Sequence, residues 1–118
     1  MNKKVLIIEE NEFVREFLCE CLLLWGYEPE TVVSTNSLLS CNFIIADYKT
    51  IRELDLIESI SEIASYKPII ITSTTNCPEE RILKEKAFCI NKPFYINELK
   101  EILKIFDEGL HKELQLQP

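Results

Sequence analysis

The sequence predicts a doubly wound α/β domain, in which a five-stranded parallel sheet carries helices on both faces. Short apolar runs alternate with stretches of helical periodicity along most of the 118 residues. The run at positions 43–46 is apolar at every position, which is typical of a strand buried on both faces of a parallel sheet. Right-handed crossovers between such strands place helices on both sides of the sheet.

The first half of the chain contains three predicted strands and a shortened second helix. Strand 1 is placed at 4–8, and helix 1 follows at about 12–25, where apolar residues recur every three or four positions. Gly26 is expected to end that helix. Strand 2 is short, about 30–33, and Pro29 places it near an edge. Little more than one helical turn fits between it and strand 3.

The second half repeats the alternation and ends in a polar tail. A helix is predicted at about 52–64, strand 4 begins at Lys67-Pro68, and a short helix begins near Pro78 and ends near Ala87. Strand 5 is placed at 88–90, and the last helix at about 97–106. We therefore expect one domain over 1–106, with 107–118 as an extension of the last helix or a linker.

Composition limits the classes of function. A net charge of −7 offers no basic patch for nucleic acid. No apolar run approaches the roughly 20 residues that span a bilayer, so no membrane partner is expected. The five cysteines, at positions 19, 21, 41, 77 and 89, follow no secretory signal, which predicts reduced thiols and a cytoplasmic protein. Two glycines leave no phosphate-cradling loop for a nucleotide or flavin.

Polar side chains follow four of the predicted strands at the points where they end. Glu9 and Glu10 follow strand 1, Asp47 ends strand 3, Thr72 ends strand 4 and Lys92 follows strand 5. The carboxyl ends of parallel strands meet at one edge of the sheet, where open α/β sheets bind their ligands. Three acids, a hydroxyl and an amine predict a site for a divalent cation and a phosphoryl group.

These five positions, in this order, resemble the receiver domain of two-component response regulators, over about residues 3–106. The resemblance implies the flavodoxin-like strand order 2-1-3-4-5. It also implies a signalling protein rather than an enzyme, with at most self-catalysed phosphotransfer and autodephosphorylation. Asp47 would accept a phosphoryl group from a histidine kinase or phosphotransfer protein. Thr72 would hydrogen-bond a phosphoryl oxygen. Lys92 would form a solvent-exposed ion pair with Asp47, next to a cis bond to Pro93.

The resemblance also implies a metal site and an output surface. Mg²⁺, or the less demanding Mn²⁺, would be bound by Glu9, Glu10, Asp47 and the backbone carbonyl of Lys49. Output would be a change in binding, including possible homodimer formation, at the face made by the helix at 78–87, strand 5 and the last helix. Cys89 occupies the switch position that is aromatic in many receivers.

Three departures from the receiver pattern leave an alternative open. Glu10 stands where the family usually has Asp, and the loop at 48–55 lacks the usual Met-Pro and Asp-Gly pairs. Cys89 replaces the aromatic switch residue and is expected to be a small buried thiol. The alternative is a phosphorylation-independent module for protein–protein interaction that keeps the fold. A metal-dependent phosphatase is disfavoured, because Lys49 stands where such enzymes carry a second Asp.

Overall fold

The sheet of the predicted α/β domain is present in the computed structural model, which describes residues 3–75 and 87–116, with side chains up to residue 108. The strands in this part of the chain are β1 (Lys4–Ile8), β2 (Glu28–Glu30), β3 (Phe43–Asp47), β4 (Ile69–Ser73) and β5 (Phe88–Asn91). They form one parallel sheet in the order β2-β1-β3-β4-β5, as expected. The carboxyl ends of β1 and β3 are therefore neighbours, with β4 and β5 beside them.

Both faces of the sheet are buried, which accounts for the apolar runs at 5–8, 43–46 and 69–71 in its central strands. Alternate residues of β1 and β3 point to opposite sides. One core cluster contains Leu6, Ile8 and Ile44, and the cluster on the other face contains Ile7 and Phe43. The continuous apolar runs in the sequence follow from this two-sided burial.

The first helix, α1 (Glu12–Leu24), begins and ends at recognisable caps. The Asn11 side chain accepts a hydrogen bond from the amide of Val14 over 3.1 Å, and Gly26 turns the chain back with a φ of +88°.

The prediction for strand 2 was wrong by two or three residues. Strand β2 starts directly after the turn, because the Glu28 amide already donates to the Lys3 carbonyl.

The second helix, α2 (Thr35–Ser40), is short, as predicted. Ser34 and Ser37 form a reciprocal capping box at its start. Its other end is capped by a residue from a distant loop: the buried ammonium of Lys67 donates to the carbonyls of Leu38, at 2.8 Å, and Leu39, at 3.0 Å. A lysine ammonium near the last carbonyls also interacts favourably with the negative end of the helix dipole.

The single helix predicted at 52–64 is two helices, α3 (Tyr48–Glu53) and α4 (Ile57–Ile63). Helix α3 starts immediately after β3, because the Asp47 side chain caps it. It ends before Asp55, which adopts a left-handed conformation with a φ of +56°. Such a residue cannot continue a right-handed helix, so the apolar periodicity of this region belongs to two separate segments.

The last helix, α5 (Ile96–Leu116), runs continuously past the predicted end at 106. Asp107 accepts hydrogen bonds from Lys3 and from the Tyr27 hydroxyl. These bonds hold α5 against the edge of the sheet at which β1 and β2 begin. The helix predicted at 78–87 lies outside the described residues, apart from Ala87. In the part of the chain that the structure covers, no helix is both long and apolar enough to cross a membrane.

Candidate functional site

Four predicted site residues lie together at the carboxyl ends of β1, β3 and β4 and in the loop after β5. We call this region the acidic edge. Glu9, Asp47 and Thr72 are all buried there. Asp47 and Thr72 are register partners on adjacent strands. Lys92 reaches the same place from the loop after β5, next to a cis bond to Pro93 as the resemblance implied. The convergence predicted from the strand ends is therefore found for Glu9, Asp47, Thr72 and Lys92.

Lys92 joins the two buried carboxylates. Its ammonium donates to Glu9 Oε1 and lies 3.1 Å from Asp47 Oδ1. Burial alone would lower the lysine pKa, but hydrogen bonds and charges of Glu9 and Asp47 outweigh that effect and raise it. The expectation of a solvent-exposed pair was wrong, since only 17% of the Lys92 side chain is exposed. The ammonium is thus the internal counter-ion of the acidic edge.

The other oxygen of Asp47 is occupied by Thr50, a residue that was not among the predicted site residues. Asp47 Oδ2 accepts from the Thr50 hydroxyl over 2.8 Å and from the Thr50 amide over 3.1 Å. The Thr50 hydroxyl in turn accepts from the Glu10 amide over 3.1 Å. The spacing of an acid and a threonine three residues later is that of a helix cap. This spacing was the available signal that a helix begins directly after β3.

The loop between β1 and α1 is held in place by two side chains. The amide of Asn11 donates to Glu9 Oε2 over 3.2 Å, so both carboxylate oxygens of Glu9 have partners. Arg15 donates from α1 to the carbonyl of Glu9 over 2.9 Å and, at 3.4 Å, to that of Glu10. Neither contact was predicted from the sequence, because both depend on how the chain turns into α1.

Glu10 does not join the other acids. Its carboxylate lies 3.6 Å from the ammonium of Lys49 on the exposed side of α3. A hydrogen bond with Glu10, followed by desolvation and the Glu10 charge, raises the pKa of Glu53. Lys49 is the second residue of α3, where a helical carbonyl points along the helix and accepts from the amide four residues later. Neither group is directed between Glu9 and Asp47.

The predicted metal ligands do not fit a divalent cation in this conformation. Mg²⁺ requires near-octahedral oxygen ligands at about 2.0–2.1 Å. The oxygens of Glu9 and Asp47 are already paired with groups of the chain, and Glu10 is turned away. Among the residues that the structure describes, no three His, Cys, Asp or Glu side chains are arranged to hold a metal ion.

Cys89 packs against the core cluster that contains Leu6 and Ile8, on the sheet face that also carries α3 and α4. It is half-buried and disulfide-bonded. The expectation that all five cysteines are reduced was therefore wrong for Cys89, whereas Cys19, Cys21 and Cys41 are free thiols. Burial raises the Cys41 pKa, although the neighbouring Lys67 ammonium acts in the opposite direction.

Comparison with solved structures identifies the fold. The chain is similar to NtrX from Brucella abortus, at 20% identity and a TM-score of 0.74, covering 98% of this chain but only 29% of NtrX. It is also similar to the chemotaxis response regulator CheY4 of Vibrio cholerae, at 21% identity and a TM-score of 0.69, covering 90% and 99% of the two chains. An orphan response regulator of Helicobacter pylori matches at 20% identity and a TM-score of 0.67, over 88% and 95% of the chains.

These similarities, with the strand order and the cis bond after Lys92, show that the chain has the receiver fold of response regulators. No protein-family profile matches the sequence. No curated protein sequence matches it either.

Proposed function

We propose that this chain is a signalling receiver domain that acts by protein–protein contact, with its acidic edge held closed by its own side chains. One observation carries the proposal. All four carboxylate oxygens of Glu9 and Asp47 accept from, or lie in contact with, donors of the chain itself, namely Lys92, Thr50 and Asn11. A buried acid with a donor on each oxygen is held in place by those donors, and it must share or lose them before it can bind a metal or react.

The closed edge argues against an obligatory metal. The ammonium of Lys92 supplies one positive charge to the two carboxylates of Glu9 and Asp47. A second cation would have to compete with that ammonium in a mostly buried place. We therefore assign no step to Mg²⁺ or Mn²⁺, and the metal site implied by the resemblance remains a hypothesis.

Phosphoryl transfer to Asp47 is the second candidate function. It is favoured by the contact of Lys92 with Asp47 and by the position of Thr72 beside it on β4. An Asp47 oxygen would attack phosphorus of a histidine kinase or phosphotransfer protein, forming an acyl phosphate as the bond to the donor breaks. Asp47 is only 5% exposed, and its Oδ2 accepts a hydrogen bond from Thr50. That hydrogen bond would have to open before Oδ2 could react.

A phosphodonor experiment separates the two functions. The protein is incubated with acetyl phosphate and Mg²⁺ or Mn²⁺, and intact mass is followed over time for wild type, Asp47→Asn and Thr50→Val. With a closed edge, wild type gains no phosphoryl group, while Thr50→Val, which removes one of the two donors to Asp47 Oδ2, reacts measurably. Rapid labelling of wild type that Asp47→Asn abolishes would establish the phosphoacceptor function instead.

A further inference from the structure

A cavity of about 460 Å³ lies beside the acidic edge, between the end of β1, α3 and the segment that follows β2. Binding sites for small molecules typically have volumes of about 300–1,000 Å³. Ile8, Val33 and Leu54 belong to the apolar part of its lining. Val33 packs against the core cluster that contains Ile8, whereas Leu54 is 52% exposed, so the apolar lining runs from buried side chains to the surface. We call this space the α3 cavity.

The charged lining of the α3 cavity is mostly acidic. Glu9, Glu10 and Glu53 contribute carboxylates, and Arg15 contributes a guanidinium. The Glu9 carboxylate already contacts the ammonium of Lys92, and the Arg15 guanidinium donates to the carbonyls of Glu9 and Glu10. The carboxylates of Glu10 and Glu53 therefore make the side of the cavity next to α3 negative.

An ammonium group of the chain already lies between these two carboxylates. Lys49 Nζ is 3.6 Å from Glu10 Oε1 and 3.9 Å from Glu53 Oε1. The Lys49 side chain is 71% exposed, and ion pairs in such positions contribute little to stability. A ligand can therefore displace this ammonium easily. The contacts of Lys49 also show which chemical group the two carboxylates accept, namely a primary ammonium.

We propose that the α3 cavity binds a small organic amine, whose ammonium replaces that of Lys49 between Glu10 and Glu53 and whose apolar part lies against Val33 and Leu54. A small set of polar groups at the side of an apolar cavity is typical of sites that orient such a ligand. An anionic ligand is disfavoured, because its charge would face the two carboxylates. A metal ion is disfavoured as well, because no three His, Cys, Asp or Glu side chains of the described residues are arranged to hold one.

The α3 cavity and the acidic edge share Thr50, which lines the cavity and donates to Asp47. A ligand in contact with Glu53 and Leu54, at the end of α3, would stabilise this short helix and with it the cap formed by Asp47. The inference goes beyond the proposed function, because binding of an amine requires neither phosphoryl transfer nor a partner protein. It can be measured whatever the outcome of the phosphodonor experiment, so the two can fail separately.

The chemistry of the ligand is tested with a matched set of probes. Phenethylamine, phenethyl alcohol and hydrocinnamate have similar aromatic parts and differ in charge, whereas ethylamine has the ammonium without the aromatic part. In chemical-shift titrations of the full chain by NMR, phenethylamine should bind saturably, and several-fold more tightly than the alcohol or ethylamine. Hydrocinnamate should not bind detectably. Equal binding of phenethylamine and hydrocinnamate, or no saturable binding of phenethylamine, would overturn the proposal.

The location is tested by substitution at one carboxylate and at the apolar wall. Glu53→Gln and Leu54→Ser should each weaken the binding of phenethylamine several-fold. The matched controls are Glu58→Gln and Leu39→Ser, because these two side chains are exposed on other helices and do not line the cavity. Both controls should bind phenethylamine as the wild type does. Unfolding curves establish that each variant is folded. Unchanged binding by Glu53→Gln and Leu54→Ser would refute the location.

Lys49 provides a test of the opposite sign. Lys49→Gln removes the ammonium that the ligand has to displace, so this variant should bind phenethylamine several-fold more tightly than the wild type. Binding should also weaken as the salt concentration rises. Weaker binding by Lys49→Gln would contradict the displacement of its ammonium. A saturable response to Mg²⁺ that Glu53→Gln abolishes would mean that the two carboxylates bind a metal ion, contrary to the proposal.

Discussion

The Thr50 hydroxyl donates to Asp47 Oδ2 over 2.8 Å, and the Thr50 amide donates to the same oxygen over 3.1 Å, which makes Asp47 the cap of α3. Both residues are buried. Lys92 contacts the other oxygen of the same carboxylate. Asp47 therefore joins the sheet, α3 and the loop after β5.

Removing the Thr50 hydroxyl should destabilise the domain without changing its shape. Thr50→Val keeps the side-chain volume but removes one of the two donors to Asp47 Oδ2 and the acceptor of the Glu10 amide. We expect a loss of about 1–3 kcal/mol in the free energy of unfolding, because buried polar groups lose partners. Urea denaturation measures it, with the exposed Thr31→Val as the control. An unchanged midpoint would contradict a stabilising role of the Thr50 hydroxyl.

Lys92→Met should be much more damaging than the loss of a surface ion pair. It leaves the carboxylates of Glu9 and Asp47 buried without their counter-ion. Removing one partner of a buried pair costs about 3–5 kcal/mol, whereas exposed pairs contribute about 0–1 kcal/mol. Lys49→Met is the matched control, since the pairs of Lys49 with Glu10 and Glu53 are exposed. Equal effects of the two substitutions in chemical denaturation would show that the acidic edge is open to water.

Added metal should leave the thermal stability of the wild type unchanged. A ligand that binds only the folded state raises the melting temperature by mass action. With the oxygens of Glu9 and Asp47 already paired, neither Mg²⁺ nor Mn²⁺ in the low millimolar range should do so. Melting curves with each ion, and with EDTA, test this. A saturable increase that is lost in Asp47→Asn would restore the metal site implied by the resemblance.

Ionisation of Tyr27 should lower the stability of the protein at alkaline pH. Burial, the hydrogen bond to Asp107 and the charge of Asp107 raise its pKa above the ordinary value of about 10. A raised folded pKa contributes stability that is complete below about pH 10 and is lost as the pH rises towards the folded pKa. Lys92, whose pKa is also raised, adds a loss in the same direction.

The Tyr27 contribution is isolated by substitution. Tyr27→Phe should cost about 0.5–1.5 kcal/mol near neutral pH by removing the hydrogen bond to Asp107. It should also show a smaller further loss above about pH 10 than the wild type. Denaturation at a series of pH values measures both effects, with the exposed Tyr66→Phe as the control. Parallel pH profiles for wild type and Tyr27→Phe would exclude this linkage.

The sheet and the convergence of the site could be predicted from the sequence, because both follow from local pattern. Apolar runs such as 43–46 predict strands that are buried on both faces. Parallel strands bring their carboxyl ends to one edge of the sheet. The direction of the Glu10 carboxylate could not be predicted, since it depends on a few side-chain torsions and on the nearby Lys49. The break at Asp55 was missed because apolar spacing continues across it. The contact of Lys67 with α2 joins segments far apart in the chain, and no local signal announces it.

The cap formed by Asp47 has a mechanical consequence. Any group attached to Oδ2, or any charge change that releases it, would remove the acceptor of the Thr50 amide and hydroxyl. The first turn of α3 would then lose its anchor, while β3, paired on both sides, would remain in place. A modification of the Asp47 carboxylate would thus shift the residue at which α3 begins. The outward side chains of that turn would move, and the surface presented to a neighbouring protein would change.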